Sequence, residues 1–457
     1  MIIPQAKVKH LLYRAGFGTG LQMESWNENA LWKKSNDDHL LKVVDKPNLD
    51  SDPREMKDRA KEVFEKSRQE IMKVNAAWID QMARQPDLRE RMTLFWHNHF
   101  ACRTLVPWFA QDLNNQIRLQ ALGSFSDLLT TVSKHPAMLQ FLNNQQNRKD
   151  HPNENFAREV MELFTLGRGH YTENDIKEAA RAFTGWGFNF QGNFQFRPRQ
   201  HDEGVKTFRG RTGNFQGDDI INMILEDPQT SIFITRKLAA FLVSDDGVSE
   251  SLVKEWSDDF YRSGYRIDRL VRNILGSETF ADPQNTGTRI KSPVELLVGI
   301  LMQTGGKFDD DRSLTFIQRA LGQVLFFPPN VSGWPSGKAW IDSSSLAFRL
   351  TLPRLLFSGD ETDFRVRDEG DVNGLQNDTP GRRRLHCNVD WSLIANRFNK
   401  SSKDATLAAI EDFLLSRPLL RENRKWVAQV TDKKTDDKEI VKSGLIAMMS
   451  LPEYQMC

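Results

Sequence analysis

Residues 52–84 read DPREMKDRAKEVFEKSRQEIMKVNAAWIDQMAR. Apolar side chains recur there every three or four positions between charges, which is the period of an amphipathic helix. They are Met56, Ala60, Val63, Phe64, Ile71, Val74, Trp78 and Met82. This stretch therefore predicts one long helix, and because the same period returns along most of the chain, the fold class is predicted to be mainly α.

Several shorter stretches add helix boundaries. Ser292-Pro293-Val294-Glu295 combines an N-cap, a Pro at the first helical position and a capping-box Glu, which predicts a helix from Pro293 to about Gln303. Thr172 begins another helix, and the helix from Glu154 to Leu166 ends at Gly167. The polar run 143–150 shows no periodicity and is predicted to be a surface loop.

Only one stretch favours β structure. From Phe188 to Phe196, aromatic and polar residues alternate on either side of Gly192-Asn193, which is the pattern of a β-hairpin. The prediction is therefore a large multi-helix body with one small hairpin and no extensive sheet.

The 457 residues divide by composition into three parts. Residues 1–357 are predicted to form the main helical domain. Residues 358–390 lose their hydrophobic side chains and are predicted to be a polar linker or irregular loop. Residues 391–457 regain the helical period but are too few for a confident core of their own, so we expect them to pack on the main body.

Charge and composition limit the functional classes. The formal net charge is +1, which argues against nucleic acid as a partner. No apolar stretch approaches the length of a membrane span, and the first residues lack the blocks of a signal peptide, so a cytoplasmic location is expected. Cys102, Cys387 and Cys457 are few and widely spaced, which is typical of reduced thiols.

Two clusters on predicted helices carry candidate chemistry. In Phe95-Trp96-His97-Asn98-His99-Phe100 the two histidines point apart on a helix, so only one of them would face any given site. Glu159 and Glu162 form a carboxylate stripe beside Arg158, suitable for a metal or for a general base. The alternatives are a core histidine bonded to a carbonyl and an ordinary solvated helix face.

Two further clusters lie on predicted loops. His201-Asp202-Glu203-Gly204-Val205-Lys206 offers a His-Asp pair and a Lys for catalysis or metal binding, although such a dipeptide is common by chance. Residues 328–340 place Trp334 and Trp340 between Pro and Gly, as in a stacking platform or a plug over the core. Gly337-Lys338 does not form a phosphate-binding loop, because Ala339 replaces the hydroxyl that such loops need.

The chain resembles the bacterial domain-of-unknown-function 1800 family. The matching stretches span almost its whole length: 10–18, 92–100, 153–167, 179–186, 201–206, 291–295 and 330–340. The family has no established activity to carry over. Its motifs include His10, Arg14, His97, Glu159, Glu162, His201 and Asp202, and the resemblance implies that these polar residues share a site.

The resemblance also bears on partners and location. Family members often carry an export signal and tend to be encoded beside a sulfatase-like family, domain of unknown function 1501, whose proteins have export signals of their own. This chain departs from the exported pattern, so export would require a signal-bearing partner.

Two functional hypotheses follow. The first is an enzyme with a divalent-metal or acid/base site, with His97, Glu159, Glu162 and His201 as metal ligands. Glu159, Glu162, His201 and Asp202 are its candidate catalytic groups, and Arg14 or Lys206 would neutralise an anionic substrate. Hydrolysis and oxidation at a metal are both open. The second is a non-enzymatic partner that binds or escorts the sulfatase-like protein, in which the polar motifs are buried structural networks.

Overall fold

A computed structural model of the chain describes residues 5–21, 39–46, 53–189, 191–364 and 383–457. Within these ranges the chain forms twenty α-helices, numbered in chain order. They are α1 Gln5–Ala15, α2 Pro53–Arg84, α3 Leu88–His99, α4 Pro107–Gln120, α5 Phe125–Lys134, α6 Pro136–Phe141, α7 Glu154–Glu159, α8 Glu173–Ala182, α9 Gly217–Leu225, α10 Pro228–Leu242, α11 Glu250–Arg262, α12 Ile267–Leu275, α13 Glu278–Ala281, α14 Pro293–Thr304, α15 Asp311–Leu321, α16 Ser343–Phe357, α17 Trp391–Phe398, α18 Lys403–Leu414, α19 Arg421–Thr431 and α20 Asp437–Met449. The predicted mainly helical fold is confirmed.

The β-strands of the described residues form four antiparallel pairs, besides three isolated bridges. The strands are β1 Trp186–Phe188, β2 Phe194–Phe196, β3 Lys206–Phe208, β4 Arg211–Gly213, β5 Lys307–Phe308, β6 Glu361–Thr362, β7 Arg383–Arg384 and β8 Cys387–Asn388. β1 pairs with β2, β3 with β4, β5 with β8 and β6 with β7. The first pair is the predicted hairpin, with Trp186 opposite Phe196; Phe190, at its turn, lies outside the described residues.

The second hairpin, β3 to β4, was not predicted. Its two turn residues, Arg209 and Gly210, both have positive φ, of 51° and 76°, as a two-residue turn of the primed type requires. Arg is a rare choice at such a position, so the usual Asn-Gly pattern is missing. Contacts with α8 hold the turn, since Asp175 accepts a 2.8 Å hydrogen bond from the Arg209 amide.

Two hydrophobic cores organise the helices. The first is built from residues 88–281 together with Ala15 of α1, and includes Trp96, Phe125, Phe156, Phe183 and Ile234. The second is built from the end of α2, from α14 to α16 and from the helices after residue 390, and includes Trp78, Leu296, Phe348, Ile394 and Leu445. The last four helices therefore share a core with α2 and α14.

Helix α3 lies between the cores. Eleven of its twelve residues are buried, and neighbouring turns contribute Leu94 to the second core and Trp96 to the first. Because apolar side chains surround this helix on every face, its polar residues must find partners inside the protein. Glu90 does so by accepting from Trp78 Nε1 at 2.8 Å and from both edge nitrogens of Arg118.

Local predictions succeeded where the deciding contacts are short-range. Helix α14 has the predicted capping box between Ser292 and Glu295, and α8 has the one between Thr172 and Asp175. The helix predicted from Glu154 to Leu166 differs, because after Glu159 it widens into a π-helix over Val160–Thr165.

The polar run 143–150 is not simply a surface loop, and this correction has a clear physical reason. Asn144 and Asn147 are buried and bind backbone groups of neighbouring segments. Asn147 donates to the Ala180 carbonyl at 2.8 Å and accepts from the Asn153 amide at 2.8 Å. These amide side chains satisfy buried backbone groups that have no partner in a helix or sheet.

The predicted polar linker, 358–390, is described only in part, since residues 365–382 lie outside the described residues. On either side of that gap, β6 pairs with β7, and β8 pairs with β5 just after α14. None of the helices in the described ranges combines the length and apolar character that crossing a membrane needs.

Candidate functional site

Glu159 and Glu162 lie where α7 widens into the π-helix. Thr165 donates its hydroxyl to the Val160 carbonyl at 2.6 Å, and the Leu166 amide donates to Met161, so the carbonyls at the start of the widened turn find partners five positions on. The opposite face of this segment is anchored in the first core through Phe156 and Phe164. Such local widening often occurs at functional positions.

The environments of the two carboxylates differ sharply. Glu162 accepts hydrogen bonds from the Tyr171 hydroxyl and from Arg168, whose Nη2 lies 2.6 Å away. These bonds hold the pKa of Glu162 below its ordinary value. Glu159 is half-buried, and burial, followed by the charge of Glu162, raises its pKa. No hydrogen bond or ion pair of the Glu159 carboxylate occurs with any described residue.

Cations border the pair. Arg158 forms ion pairs with Glu154 at 3.3 Å and with Glu173 at 2.8 Å, and it opposes the rise in the pKa of Glu159. Arg168 is 87% exposed, so its charge beside Glu162 is accessible to a ligand. Glu159 therefore keeps its proton to a higher pH than an ordinary glutamate, and Glu162 beside it loses its proton at a lower pH.

The histidine that reaches this segment is His99, whereas the sequence analysis had selected His97. His99 Nδ1 accepts from the Lys237 amine at 3.1 Å, so its Nε2 carries the hydrogen that it donates to the Phe164 carbonyl at 3.1 Å. Burial lowers the pKa of Lys237 to about 8. The Lys237 amine also lies 5.0 Å from the centre of the Phe233 ring, against which Gly167 packs.

His97 lies on the other side of α3, in contact with the second core. Its Nε2 accepts from the Phe326 amide at 3.1 Å, and burial lowers its pKa to about 3. Its ring packs on Trp78, and Trp334 lies 5.5 Å away. Trp334 and Trp340 are each 5% exposed, which matches the plug over the core and leaves no open stacking platform.

His201, Asp202 and Lys206 form a separate group, the first two in the loop before β3 and Lys206 at the start of that strand. Asp202 binds Arg181 through both oxygens, at 2.7 and 3.2 Å. Lys206 is fully buried and donates to the carbonyls of Asp202 and Gly204, at 2.5 and 3.0 Å, so it clamps the loop on itself. His201 donates from Nδ1 to the Thr184 carbonyl at 2.9 Å, and its buried Nε2 has no hydrogen-bond partner.

The carboxylate pair and the His201 group lie near opposite ends of helix α8. Glu173, at its start, pairs with Arg158, and Arg181, near its end, pairs with Asp202. The two positions are eight residues apart, which corresponds to about 12 Å along a helix. The carboxylate pair and the His201 loop are therefore neighbours along one helix without direct contact between them in the described structure.

Arg14 belongs to a fourth location. It is fully buried and donates to the Asn285 carbonyl at 2.7 Å and to Thr288 at 3.1 Å, within reach of the charges of Arg91 and Glu295. The structure thus brings together Glu159 with Glu162, and His201 with Asp202 and Lys206. In the described ranges no hydrogen bond or ion pair joins these groups to one another, to His97 or to Arg14.

Metal ligands were predicted among these residues. Within the part of the chain that the structure describes, no three His, Cys, Asp or Glu side chains are grouped so that they could hold a metal ion. The predicted divalent metal therefore stays a prediction, and Glu159 with Glu162 is the one pair of predicted ligands that shares a location.

Comparison with known proteins identifies the family. The chain matches the family model described as "Protein of unknown function (DUF1800)" over residues 10–456. It belongs to this family. The resemblance inferred from the motifs is confirmed, and membership brings no reaction with it. No curated protein and no solved structure matches the chain.

Sequence reasoning missed His99 and Lys237 as a pair. The sequence analysis considered His99, but its partner Lys237 lies 138 positions away on α10. Phe233 and Lys237 are spaced four apart, so they share a helix face. That spacing could have indicated that the Lys237 amine lies on an apolar helix face, but it could not have predicted His99 as its partner.

Proposed function

We propose that the protein is an enzyme that uses Glu159 and Glu162 for acid/base chemistry. Glu159 is the proton donor and acceptor, and Glu162 stays ionised and positions Arg168, whose guanidinium stabilises negative charge that develops during the reaction. The observation that carries the proposal is the opposite direction of the two pKa shifts in side chains three positions apart. Two carboxyls whose environments separate their pKa values are the usual arrangement for an acid and a base at neutral pH.

The surroundings favour an anionic or strongly polar substrate. Arg168 is exposed beside Glu162, and the charge of Arg158, which pairs with Glu173, acts on both carboxylates. A guanidinium group binds carboxylate, phosphate or sulfate oxygens through paired N–H groups. Hydrolysis of an ester of such an acid is the reaction that this combination of charges suits best.

A divalent ion is the second way to use the same pair. Two carboxylates one turn apart can bind Mg²⁺ when water and substrate oxygens complete its shell. Elemental analysis of protein purified without a histidine tag measures this directly. A metal that remains in the parent and is lost from Glu159→Gln and Glu162→Gln supports this use.

Turnover of three model esters tests the reaction class. Nitrophenyl acetate, phosphate and sulfate would be assayed with the parent, Glu159→Gln, Glu162→Gln and the control Glu154→Gln, whose carboxylate is exposed on the same helix. Glu159→Gln should lower kcat by about 10²–10⁴, and Glu154→Gln should leave it unchanged. Equal loss in the control, or no turnover of any ester by the parent, would contradict hydrolysis at this pair.

A partner role is the second candidate, and exposed apolar side chains on α19 favour it. Trp426 and Val430 are one helical turn apart and are 43% and 39% exposed. We propose that, in this case, α19 docks on the sulfatase-like protein of the domain-of-unknown-function 1501 family. The chain would then act in the cytoplasm, or outside it after export with that signal-bearing partner.

Co-purification separates the two candidates. The two proteins would be co-expressed with the parent chain, with Trp426→Glu and with Leu393→Glu, a control on α17 whose side chain is also exposed. Loss of the complex in Trp426→Glu alone supports docking through α19. No complex with the parent, or equal binding by Trp426→Glu, contradicts it.

A further inference from the structure

Five cationic side chains from separate parts of the chain meet in the interior. They are Arg14 of α1, Arg91 of α3, Arg289 and Lys291 before α14, and Arg349 of α16, and each is at most 4% exposed. Their charges act on one another: Arg14 is influenced by Arg91 and Arg289, and Lys291 by Arg349. Like charges buried together destabilise the fold unless anions accompany them.

The described residues supply fewer acidic groups than cations. Glu295 binds both Arg91 and Arg289, and Asp245 binds Arg289 at 3.3 Å. The ionisable group of Cys457 is the remaining acidic neighbour that acts on these cations. Among the described residues, five cations therefore face three acidic groups, which leaves positive charge in excess there.

Several buried nitrogens of this cluster have no hydrogen-bond partner. They are Nε and Nη1 of Arg14, Nη2 of Arg91, and Nε and Nη2 of Arg349. Buried donors are almost always paired, and each unpaired one carries its full desolvation cost. Arg349 is the most informative member, because Nε and Nη2 lie on the same edge of its guanidinium while Nη1 donates to the Lys291 carbonyl at 2.9 Å.

The protein uses that same edge elsewhere to bind carboxylates. Arg118 directs Nε and Nη2 to the two oxygens of Glu90, at 2.7 and 3.3 Å. Arg181 does the same with Asp202. Paired N–H groups on one edge match two oxygens of an oxyanion. Arg349 presents the same edge, and among the described residues no carboxylate binds it.

Titration behaviour agrees with this geometry. Burial lowers the pKa of Arg14 and of Arg349 to about 10, and that of Lys291 to about 8. The buried environment thus disfavours the charged form of all three side chains. A bound anion would reverse this effect.

We propose that this cluster binds one small oxyanion, held by the Nε and Nη2 edge of Arg349 beside the charge of Lys291. Phosphate, sulfate and the carboxylate of a small acid share the chemistry that the site recognises. The site is distinct from the Glu159 and Glu162 pair, so it stands whether or not that pair is catalytic.

The anion content of the purified chain is the first test. The full chain would be purified in Tris and chloride alone, denatured, and its released anions measured by ion chromatography. One equivalent of phosphate, sulfate or a carboxylate per chain supports the site and identifies the anion that it binds. An anion-free protein moves the decision to the second measurement, a thermal melt with phosphate, sulfate, acetate or chloride at equal ionic strength.

The melt uses variants on one helix. Phosphate, sulfate or acetate should raise the melting temperature of the anion-free parent by about 2–5 °C over chloride. Arg349→Lys keeps the charge but loses the paired edge, and it should lose this rise or the retained anion. Arg354→Gln, an exposed control on α16, should keep it. The proposal is overturned if the parent retains no anion and shows no anion-specific rise in melting temperature. It is also overturned if Arg349→Lys keeps that rise. If Arg349→Lys does not fold, the two measurements on the parent decide.

Discussion

Replacing Glu295 with Gln should destabilise the protein more than any surface change of the same kind. The Glu295 carboxylate is 4% exposed and binds the guanidinium groups of both Arg91 and Arg289. It also accepts from the Ser292 amide at 2.5 Å, as the capping box of α14 requires. Gln keeps the shape, and its one carbonyl oxygen can still accept from the Ser292 amide, so the substitution removes the charge and leaves an amide nitrogen towards the two guanidinium groups.

The magnitude follows from what is left behind. Removing one partner of a buried ion pair costs about 3–5 kcal/mol, because the other partner stays buried without compensation. Here two cations lose the same partner, in a cluster that already has excess positive charge. We therefore expect a loss near the upper end, about 5 kcal/mol.

Urea denaturation followed by circular dichroism measures the difference. The control is Asp258→Asn, which removes an exposed carboxylate that pairs with Lys254 at 3.0 Å on α11. Exposed pairs of this kind contribute less than about 1 kcal/mol. If Glu295→Gln costs no more than the control, the cluster does not depend on this carboxylate and our description of its electrostatics is wrong.

Three further outcomes are expected. His97→Phe should cost about 1–3 kcal/mol in a urea titration, because the buried Phe326 amide loses its acceptor; an unchanged midpoint would show that the amide finds another. Asp202→Ala should speed hydrogen exchange of the Gly204 amide, because that amide loses the acceptor to which it donates at 2.8 Å, and unchanged exchange would count against this description of the loop. The contribution of Lys237 to stability should rise from pH 8 towards pH 10, since its pKa is about 8 in the folded protein and about 10.4 when unfolded, so this side chain binds more protons in the unfolded state in that window. Lys237→Met should remove this contribution, so melts at several pH values should show a less positive slope of stability against pH than in the parent. An identical slope in both proteins would contradict the prediction.

The parts of the fold that sequence predicted are those that neighbouring residues decide. Helix α2 follows from the spacing of its apolar side chains, and the start of α14 from Ser292, Pro293 and Glu295. The parts that it missed depend on distant segments. Asn147 is polar and would suit a surface loop, yet the carbonyl that it binds, that of Ala180, is supplied by α8.

The candidate site divides in the same way. Glu159 and Glu162 were predicted together because a single helix fixes their spacing. The grouping of His97 with His201 rested on shared motifs, and it required two segments to meet in space. In the structure His97 accepts from the Phe326 amide and His201 donates to the Thr184 carbonyl, and the site common to both stays a prediction.

The most direct test of the central claim is a titration of the Glu159 and Glu162 carboxyl carbons by NMR, in the parent and in Glu162→Gln. We expect Glu159 to titrate above its ordinary value and Glu162 below it, and the pKa of Glu159 to fall when the charge of Glu162 is removed. Two carboxyls that titrate together near the ordinary value of about 4.3, with Glu159 unaffected by Glu162→Gln, would contradict the assignment of Glu159 as the acid and base.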